Sequence, residues 1–457
     1  MKKFCIQIFI LSISVFFGAI FILVAYSLPV DKMRDHVQDA LYIYEIEHNN
    51  HRWGSWQSVQ TDVDNFTNCI MLMEAIYPTD RGITDSAFSN RMWNLGEEKS
   101  PYQTLINVVN NNLGDDKENS VEYARYWHGY LIFLKPLLSI MDTGKIRVLN
   151  FQLQFLLIVL TMILIYKRLG IYHVVALSMA IIVINPVTTA LSFQNSTMLY
   201  ITLLSIIYLL LKNESLIENS RYIYFFLIVG ICTAYFDFLT YPFVSLGISL
   251  CIFAMLNRKD FFDLPVISAL KKCFHCIFSW SFGYVGMWAS KWILATIFTE
   301  YNILADAFIN AIYTKIFAVQ VETQYTAESF SMWDHLKFLL FSAQNELPAG
   351  YIVHKDFTFF DVVKKNIHAL DGSFIYIFAI FILYMIFKLI INRQNIFINK
   401  TMFAVFGLII SLPFIWYAAI IKHSYIHDFL VYRELSIAIF GISCLLTELL
   451  NTSDKYS

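Results

Sequence analysis

Apolar stretches near the length of a membrane span recur ten times along this chain. They occupy positions 4–26, 150–167, 172–192, 196–212, 222–238, 240–256, 273–298, 373–391, 401–421 and 430–450. A helix needs about 20 mostly apolar residues to cross the hydrocarbon core, and in lipid the backbone must satisfy its own hydrogen bonds. The pattern therefore predicts an all-α fold: a polytopic membrane helix bundle of about ten spans.

Composition agrees. Of 457 residues, 57% are hydrophobic and only 15% are charged, against about 25% charged in soluble domains. This excludes a soluble globular enzyme, a disordered chain and a collagen-like fibre. Net charge is -2, so no basic surface for nucleic acid is implied. Of seven cysteines, only Cys69 lies in a clearly polar region, and no disulfide framework is readable.

Lysine and arginine set the expected orientation. With the N-terminus inside, the cytoplasmic segments hold Lys2, Lys3, Lys167, Arg168, Lys212, Arg221, Arg258, Lys259, Lys271, Lys272, Lys388, Arg393, Lys400 and Lys455. The short outer loops hold only Lys422. The first span follows Met1-Lys2-Lys3 and reads as an uncleaved signal anchor, since its apolar run is too long for a signal peptide. The expected organisation is an anchor at 1–26, an outer segment at 27–149, spans two to seven at 150–298, a second outer segment at 299–372, spans eight to ten at 373–450, and a tail at 451–457. Both termini are expected in the cytoplasm. No cytoplasmic loop is long enough for a nucleotide-binding domain, and no Walker or dinucleotide glycine motif is present. Chemistry is expected at the outer face.

The first outer segment predicts helices at about 31–47 and 65–77. Thr61-Asp62-Val63-Asp64-Asn65 precedes the second. Thr61 or Asp62 is a candidate cap, and both carboxylates suit a helix N-terminus. Capping is the leading reading of both Asp62 and Asp64, and the functional alternative is a carboxylate for proton transfer or metal binding. The segment closes with Arg125-Tyr126-Trp127-His128-Gly129-Tyr130, then Leu131 to Leu138, which is too short to span and reads as interfacial or re-entrant. An aromatic belt accounts for Tyr126 and Trp127. Arg125 and His128 either snorkel or bind a lipid phosphate.

Ionisable residues at membrane depth are functional candidates. Asp237 sits in an outer turn ending at Pro242, and Lys291 lies within the span 273–298 beside Trp288. A pairing of Asp237 with Lys291 is the structural alternative. In the run from Lys422 to Glu434, His423 and His427 stand one helical turn apart, and Arg433 follows. They suit an anion. Zinc is the other reading of His-x-x-x-His, with no third ligand identifiable, and an Arg433–Glu434 ion pair is the bland one. Asn185-Pro186 and Gln194-Asn195-Ser196-Thr197 mark a hairpin tip and a helix start, and are candidates to line a polar cavity. The segment 299–372 suggests interfacial helices at 301–318 and 332–343, without a site residue.

The layout of one span, a long acidic first outer loop, a many-span bundle and a second large outer loop resembles the C-type membrane glycosyltransferase superfamily. The resemblance implies transfer of a sugar from a polyprenyl-phosphate carrier to a cell-surface glycan or lipid-linked acceptor at the outer face of a bacterial plasma membrane. It implies a catalytic base at Asp64 or Asp62. Carrier phosphate would be held by Arg125, His128, Lys291, His423, His427 and Arg433. Tyr126, Trp127, Asp237 and Trp288 would contact sugar or acceptor. No cofactor is certain, and a divalent metal is an open alternative. Two other classes compete: an outer-face polysaccharide polymerase or ligase using a lipid-diphosphate-linked oligosaccharide, and a lipid-linked-saccharide transporter. The polymerase reading would favour arginines in 299–372, which has none. A transporter would carry a polar track through the bundle centre, and the two halves show no repeat.

Overall fold

A computed structural model describes residues 2–48, 50–52, 59–79, 81–95, 100–110, 119–307, 319–321, 351–353, 357–370, 372–391 and 399–454. These residues are mostly helical, and six helices are long and apolar enough to cross a membrane. They are Lys2–Tyr26, Thr143–Leu169, Phe193–Ser220, Phe374–Ile391, Lys400–Ala419 and Asp428–Leu450.

The first helix, α1 (Lys2–Tyr26), leads into a small folded unit. That unit comprises α2 (Asp31–Asp39), α3 (Leu41–Glu47), α4 (Asn65–Ile76), α5 (Ile83–Ser89), α6 (Pro101–Val109) and α7 (Leu131–Leu138). Two antiparallel strand pairs punctuate it: β1 (Asn50–Arg52) with β2 (Asp62–Asp64), and β3 (Arg91–Trp93) with β4 (Ser120–Glu122). The expected helix at 31–47 breaks at Ala40, and the expected helix at 65–77 runs Asn65–Ile76. Arg91 pairs with Asp85 at 2.5 Å and Glu122 at 2.8 Å, tying α5, β3 and β4 together.

The bundle follows: α8 (Thr143–Leu169), α9 (Ile171–Ile184), α10 (Pro186–Leu191), α11 (Phe193–Ile217), α12 (Tyr222–Phe236), α13 (Phe243–Leu256), α14 (Arg258–Phe262) and α15 (Val266–Phe298). Asp142 caps α8 by accepting from the Lys145 amide at 2.9 Å, and Lys167 and Arg168 complement the dipole in its last turn. Beyond α16 (Ile303–Asp306), β5 (Val319–Val321) and β6 (Tyr351–Val353) pair antiparallel. The remaining helices are α17 (Phe359–His368), α18 (Gly372–Ile391), α19 (Lys400–Ala419), α20 (Ile421–Ile426), α21 (Asp428–Val431) and α22 (Leu435–Asp454). Of the interfacial helices expected at 301–318 and 332–343, only Ile303–Asp306 falls within the described residues.

All ten apolar stretches contain helix, and three are interrupted: 172–192 at Asn185, 401–421 at Ile420, and 430–450 at the 3₁₀ turn Tyr432–Glu434. The stretch 172–192 divides at Asn185, whose φ of 57° is left-handed, because Pro186 begins a new helix. Helix α8 also starts at Thr143, seven positions before the apolar stretch, because the Asp142 cap sets its start. Helices α12 and α15 pack closely. A Cβ at Gly230 would lie 2.0 Å from the Trp280 carbonyl oxygen, and one at Gly283 would lie 2.3 Å from that of Leu227. Small residues here let the two backbones touch.

Contacts distinguish two ends of the bundle. At one end Arg168 pairs with Glu214, Asn213 and Asn257 exchange amide hydrogen bonds at 2.8 Å, and Arg258 and His173 both face Glu448. Lys167, Lys259, Lys271 and Lys272 belong to the same connections. At the other end the first folded unit meets the α9–α10 break, the start of α11, the α12–α13 turn and the segment before α22.

Candidate functional site: a buried polar chamber beneath the first folded unit

Asp64 closes β2 and opens α4. Its backbone dihedrals are non-helical, and its carboxylate accepts from the Thr67 amide at 2.9 Å and the Thr67 hydroxyl at 2.6 Å. Asp64 is therefore the cap, in place of Thr61 or Asp62. It is also held from within the bundle: Gln194 Nε2 donates at 2.5 Å to Oδ2, the oxygen that accepts the Thr67 hydroxyl, and the Asp64 amide donates to Ser192 Oγ at 3.2 Å. Asp64 is buried, and burial raises its carboxyl above the ordinary range, against the opposing pull of Thr67, Gln194 and Arg433.

Around this point several chain segments converge. Gln60 Nε2 donates to the Ile182 carbonyl at 2.7 Å, and Asn185 Nδ2 returns a bond to the Gln60 carbonyl at 2.8 Å. Tyr241 donates its hydroxyl to the Asn195 carbonyl. Arg433 Nε donates to the Ile184 carbonyl at 3.0 Å and Nη1 to the Phe429 carbonyl at 2.7 Å, with its guanidinium over the rings of Tyr432 and Tyr241. Glu434 Oε1 accepts from the Phe243 amide at 3.0 Å. Asp62, half-buried in β2, lies within electrostatic reach of Tyr432.

The chamber is polar, buried and incompletely satisfied. Arg433 Nη2, Glu434 Oε2, Gln194 Oε1, both amide atoms of Asn195, the Tyr432 hydroxyl and Ser436 Oγ are inaccessible to solvent and lack a protein hydrogen-bond partner. Their parent residues are at most 1% exposed. Unpaired buried polar atoms are costly, and a cluster of them marks a place where a polar ligand or water belongs. Arg433 and Glu434 are neighbours in sequence, yet they do not form the expected ion pair. Arg433 spends its donors on carbonyls and Glu434 turns to the α13 amide.

Asp237 and His423 border the chamber. Asp237 accepts from the Leu239 amide at 3.0 Å, the Thr240 amide at 3.1 Å and the Thr240 hydroxyl, so it builds its own turn. It does not pair with Lys291. Its charge reaches Tyr126, Tyr284 and Glu434. A ring nitrogen of His423 lies 2.6 Å from the Leu239 carbonyl in the same turn, and the His423 and His427 rings stand 4.5 Å apart. Among the described residues no group of three or more His, Cys, Asp and Glu side chains is placed to hold a metal.

Of the other predicted residues, Trp127, His128 and Lys291 lie apart from this chamber. His128 Nδ1 is 3.0 Å from Glu74 Oε2, and the Tyr130 hydroxyl donates to the same oxygen. Lys291 Nζ donates to Asn90 Oδ1 at 2.6 Å and the Phe88 carbonyl at 3.0 Å, and Lys135 Nζ to the Ala75 carbonyl at 2.6 Å. Glu74, Lys135 and Lys291 are all 0% exposed. These groups form a charged weld between the first unit and the spans, so His128 and Lys291 are not placed with Arg433 on one phosphate. Trp127 is fully buried, its indole donating to the Met287 carbonyl at 2.6 Å. Trp288 and Trp292 both donate to the Arg125 carbonyl, at 2.7 and 2.9 Å, and Tyr126 stacks on Trp288 at 5.9 Å. Tyr126 and Trp288 form an aromatic wall next to Asp237.

Sequence reading underweighted Gln194, Asn195, Tyr241 and Glu434, and it missed Glu74. The available signal was polarity at the boundaries of apolar stretches. Nothing in the spacing of residues 64, 194, 241 and 433 brings them together. No protein family, curated protein or solved structure matches this chain.

Proposed function

We propose that this chain is a polytopic membrane glycosyltransferase that uses a polyprenyl-phosphate-linked sugar at the outer face. The observation that carries this reading is the unpartnered Nη2 of buried Arg433, set among unpaired amide, hydroxyl and carboxylate atoms within reach of Asp64. A guanidinium with one free donor edge suits an anionic phosphate. The surrounding amides and hydroxyls suit a polyhydroxylated ring.

Position supports the same reading. On this reading all ten apolar stretches serve as spans and the lysine- and arginine-rich connections face the cytoplasm. The chamber then lies toward the outer end, under the first folded unit, rather than at the bundle centre where a transport track would run.

Two carboxylates divide the work. Asp64 already accepts three hydrogen bonds and orders the chamber wall. Asp62 takes the proton from the acceptor hydroxyl. The bond from the sugar anomeric carbon to the carrier phosphate oxygen breaks as the bond to the acceptor oxygen forms. The carrier phosphate leaves with its electron pair, held by Arg433. Tyr126 and Trp288 line the approach for sugar or acceptor.

The test compares surface glycan structure in a deletion strain, its parent, and strains carrying Asp62→Asn, Asp64→Asn or Arg433→Gln. Loss of one specific sugar branch in the deletion and in the Asp62→Asn and Arg433→Gln strains is the expected result. A shortened polymer with all sugars present supports the polymerase class instead. Full transfer in Asp62→Asn overturns the base assignment, and loss in Asp64→Asn alone moves the base to Asp64.

A further inference from the structure

A second cavity lies on the opposite side of α11 from the chamber. It occupies about 410 Å³ between α7, α8 and α11, and Phe133, Leu137, Leu149, Leu153, Ile201 and Leu204 line it. Its few polar side chains have their partners within the protein: Tyr130 donates to Glu74 and Thr197 to the Gln194 carbonyl. Asn150 Nδ2 donates to Ser196 Oγ at 2.7 Å and the Tyr200 hydroxyl to Asn150 Oδ1 at 2.7 Å. The walls therefore present hydrocarbon and ask for no hydrogen bond.

The mouth opens sideways. Phe133 is 60%, Leu153 45% and Leu204 53% exposed on its rim. Leu153 and Leu204 belong to two helices long and apolar enough to cross a membrane, so acyl chains are what stands at that mouth. The passage toward the chamber is closed at the start of α11. There the Phe193 amide donates to Asn68 Oδ1 at 2.8 Å and the Asp64 amide to Ser192 Oγ. An occupant of this groove does not reach Arg433.

We infer that the groove is a binding site for one acyl chain of a bilayer phospholipid, held as a fixed structural lipid between the first folded unit and the spans. A void of this size left empty forfeits dispersion contacts along its whole lining, and an apolar chain restores them without disturbing any hydrogen bond. The site stands whether or not the chain transfers sugar. It requires only that α8 and α11 lie in the membrane.

The experiment uses the full chain in vesicles containing a phosphatidylglycerol with a photoactivatable group on one acyl chain. Crosslinking of the unaltered protein is mapped by peptide mass spectrometry, with a polyprenyl phosphate carrying the same photogroup as the competing probe. Labelling concentrated on Phe133–Leu137 and Phe193–Leu204 by the phospholipid probe is expected. In parallel, phospholipid retained after mild-detergent purification is measured for wild type, Thr197→Trp, which fills the groove, and Leu211→Trp, on the same helix outside it. Retention is expected to fall severalfold in Thr197→Trp alone. Uniform labelling of all lipid-facing helices, labelling of the groove by the polyprenyl probe alone, or unchanged retention in Thr197→Trp would each overturn the assignment.

Discussion

The side-chain amide of Gln194 donates to the Asp64 carboxylate at 2.5 Å across 130 positions of chain. One residue begins a long apolar helix and the other caps the first helix of the chamber's outer wall. Their bond joins the folded unit to the spans at the place where the unpaired polar atoms gather.

Removing that donor is expected to be felt in stability. Gln194→Leu leaves a buried carboxylate short of one partner, which costs about 1–3 kcal/mol. Gln194→Glu sets two carboxylates together and is expected to be worse. Thermal unfolding of purified protein in one fixed detergent checks the order: wild type, then Leu, then Glu. A Glu variant as stable as wild type contradicts it.

The Asp64 carboxyl also predicts a pH dependence. Its native value is raised above the ordinary 3.8 by burial. Between 3.8 and the raised value the native state holds a proton that the unfolded chain has released. The stabilisation from this group is therefore complete below 3.8 and is lost as pH rises through the native value. Wild type is expected to lose stability with rising pH across that window, and Asp64→Asn to remove this component. Matching slopes for the two proteins would refute it.

Arg433 cannot be replaced by lysine on the present geometry. Its Nε and Nη1 reach the Ile184 and Phe429 carbonyls while Nη2 stays free. An ammonium cannot span these positions. Arg433→Lys is expected to lower transfer roughly a hundredfold, the scale seen when one preorganised donor to a developing negative charge is lost. An in vitro assay with lipid-linked sugar reads it, and a change under twofold would rule the role out.

The weld around Glu74 predicts a stability effect without a chemical one. Glu74→Ala removes the acceptor of the Tyr130 hydroxyl, the partner of His128 and the carboxylate whose charge reaches Lys135 and Lys291, and is expected to destabilise by about 1–3 kcal/mol. Glu74→Gln keeps the hydrogen-bond partner for Tyr130 and is expected to lose less. Protein recovered from the Gln variant should transfer sugar at the wild-type rate. A selective loss of rate at normal stability would move His128 and Lys291 back into the chemistry.

Close approach of α12 and α15 gives a packing test. Gly230→Ala places a methyl group 2.0 Å from the Trp280 carbonyl oxygen, which must shift. A loss of about 1–3 kcal/mol is expected from overpacking. Gly407→Ala meets nothing within 4 Å and serves as the neutral control.

Much of the helical layout was legible because span length and apolarity are local properties. Each of the ten stretches contains helix. The start of α8 at Thr143 lay seven positions outside the apolar stretch, whereas the Asn185-Pro186 hairpin tip was readable because proline acts within a turn. The helix near 65–77 was readable for the same reason. Its cap lies further on than Thr61 or Asp62: Asp64 accepts from Thr67 three residues ahead, and Ser192 and Gln194, far along the chain, hold it there.

What the sequence by itself determined is therefore a bundle of apolar helices with its basic connections gathered at one end, since hydrocarbon solvation and backbone hydrogen bonding leave few alternatives. What only the tertiary structure decided is which charged groups meet. Lys291 goes to Asn90 instead of Asp237, His128 to Glu74, and Arg433 to backbone carbonyls instead of its neighbour Glu434. A buried charge takes whichever partner the packing of distant elements brings within 3 Å, and residue spacing along the chain carries no record of that distance.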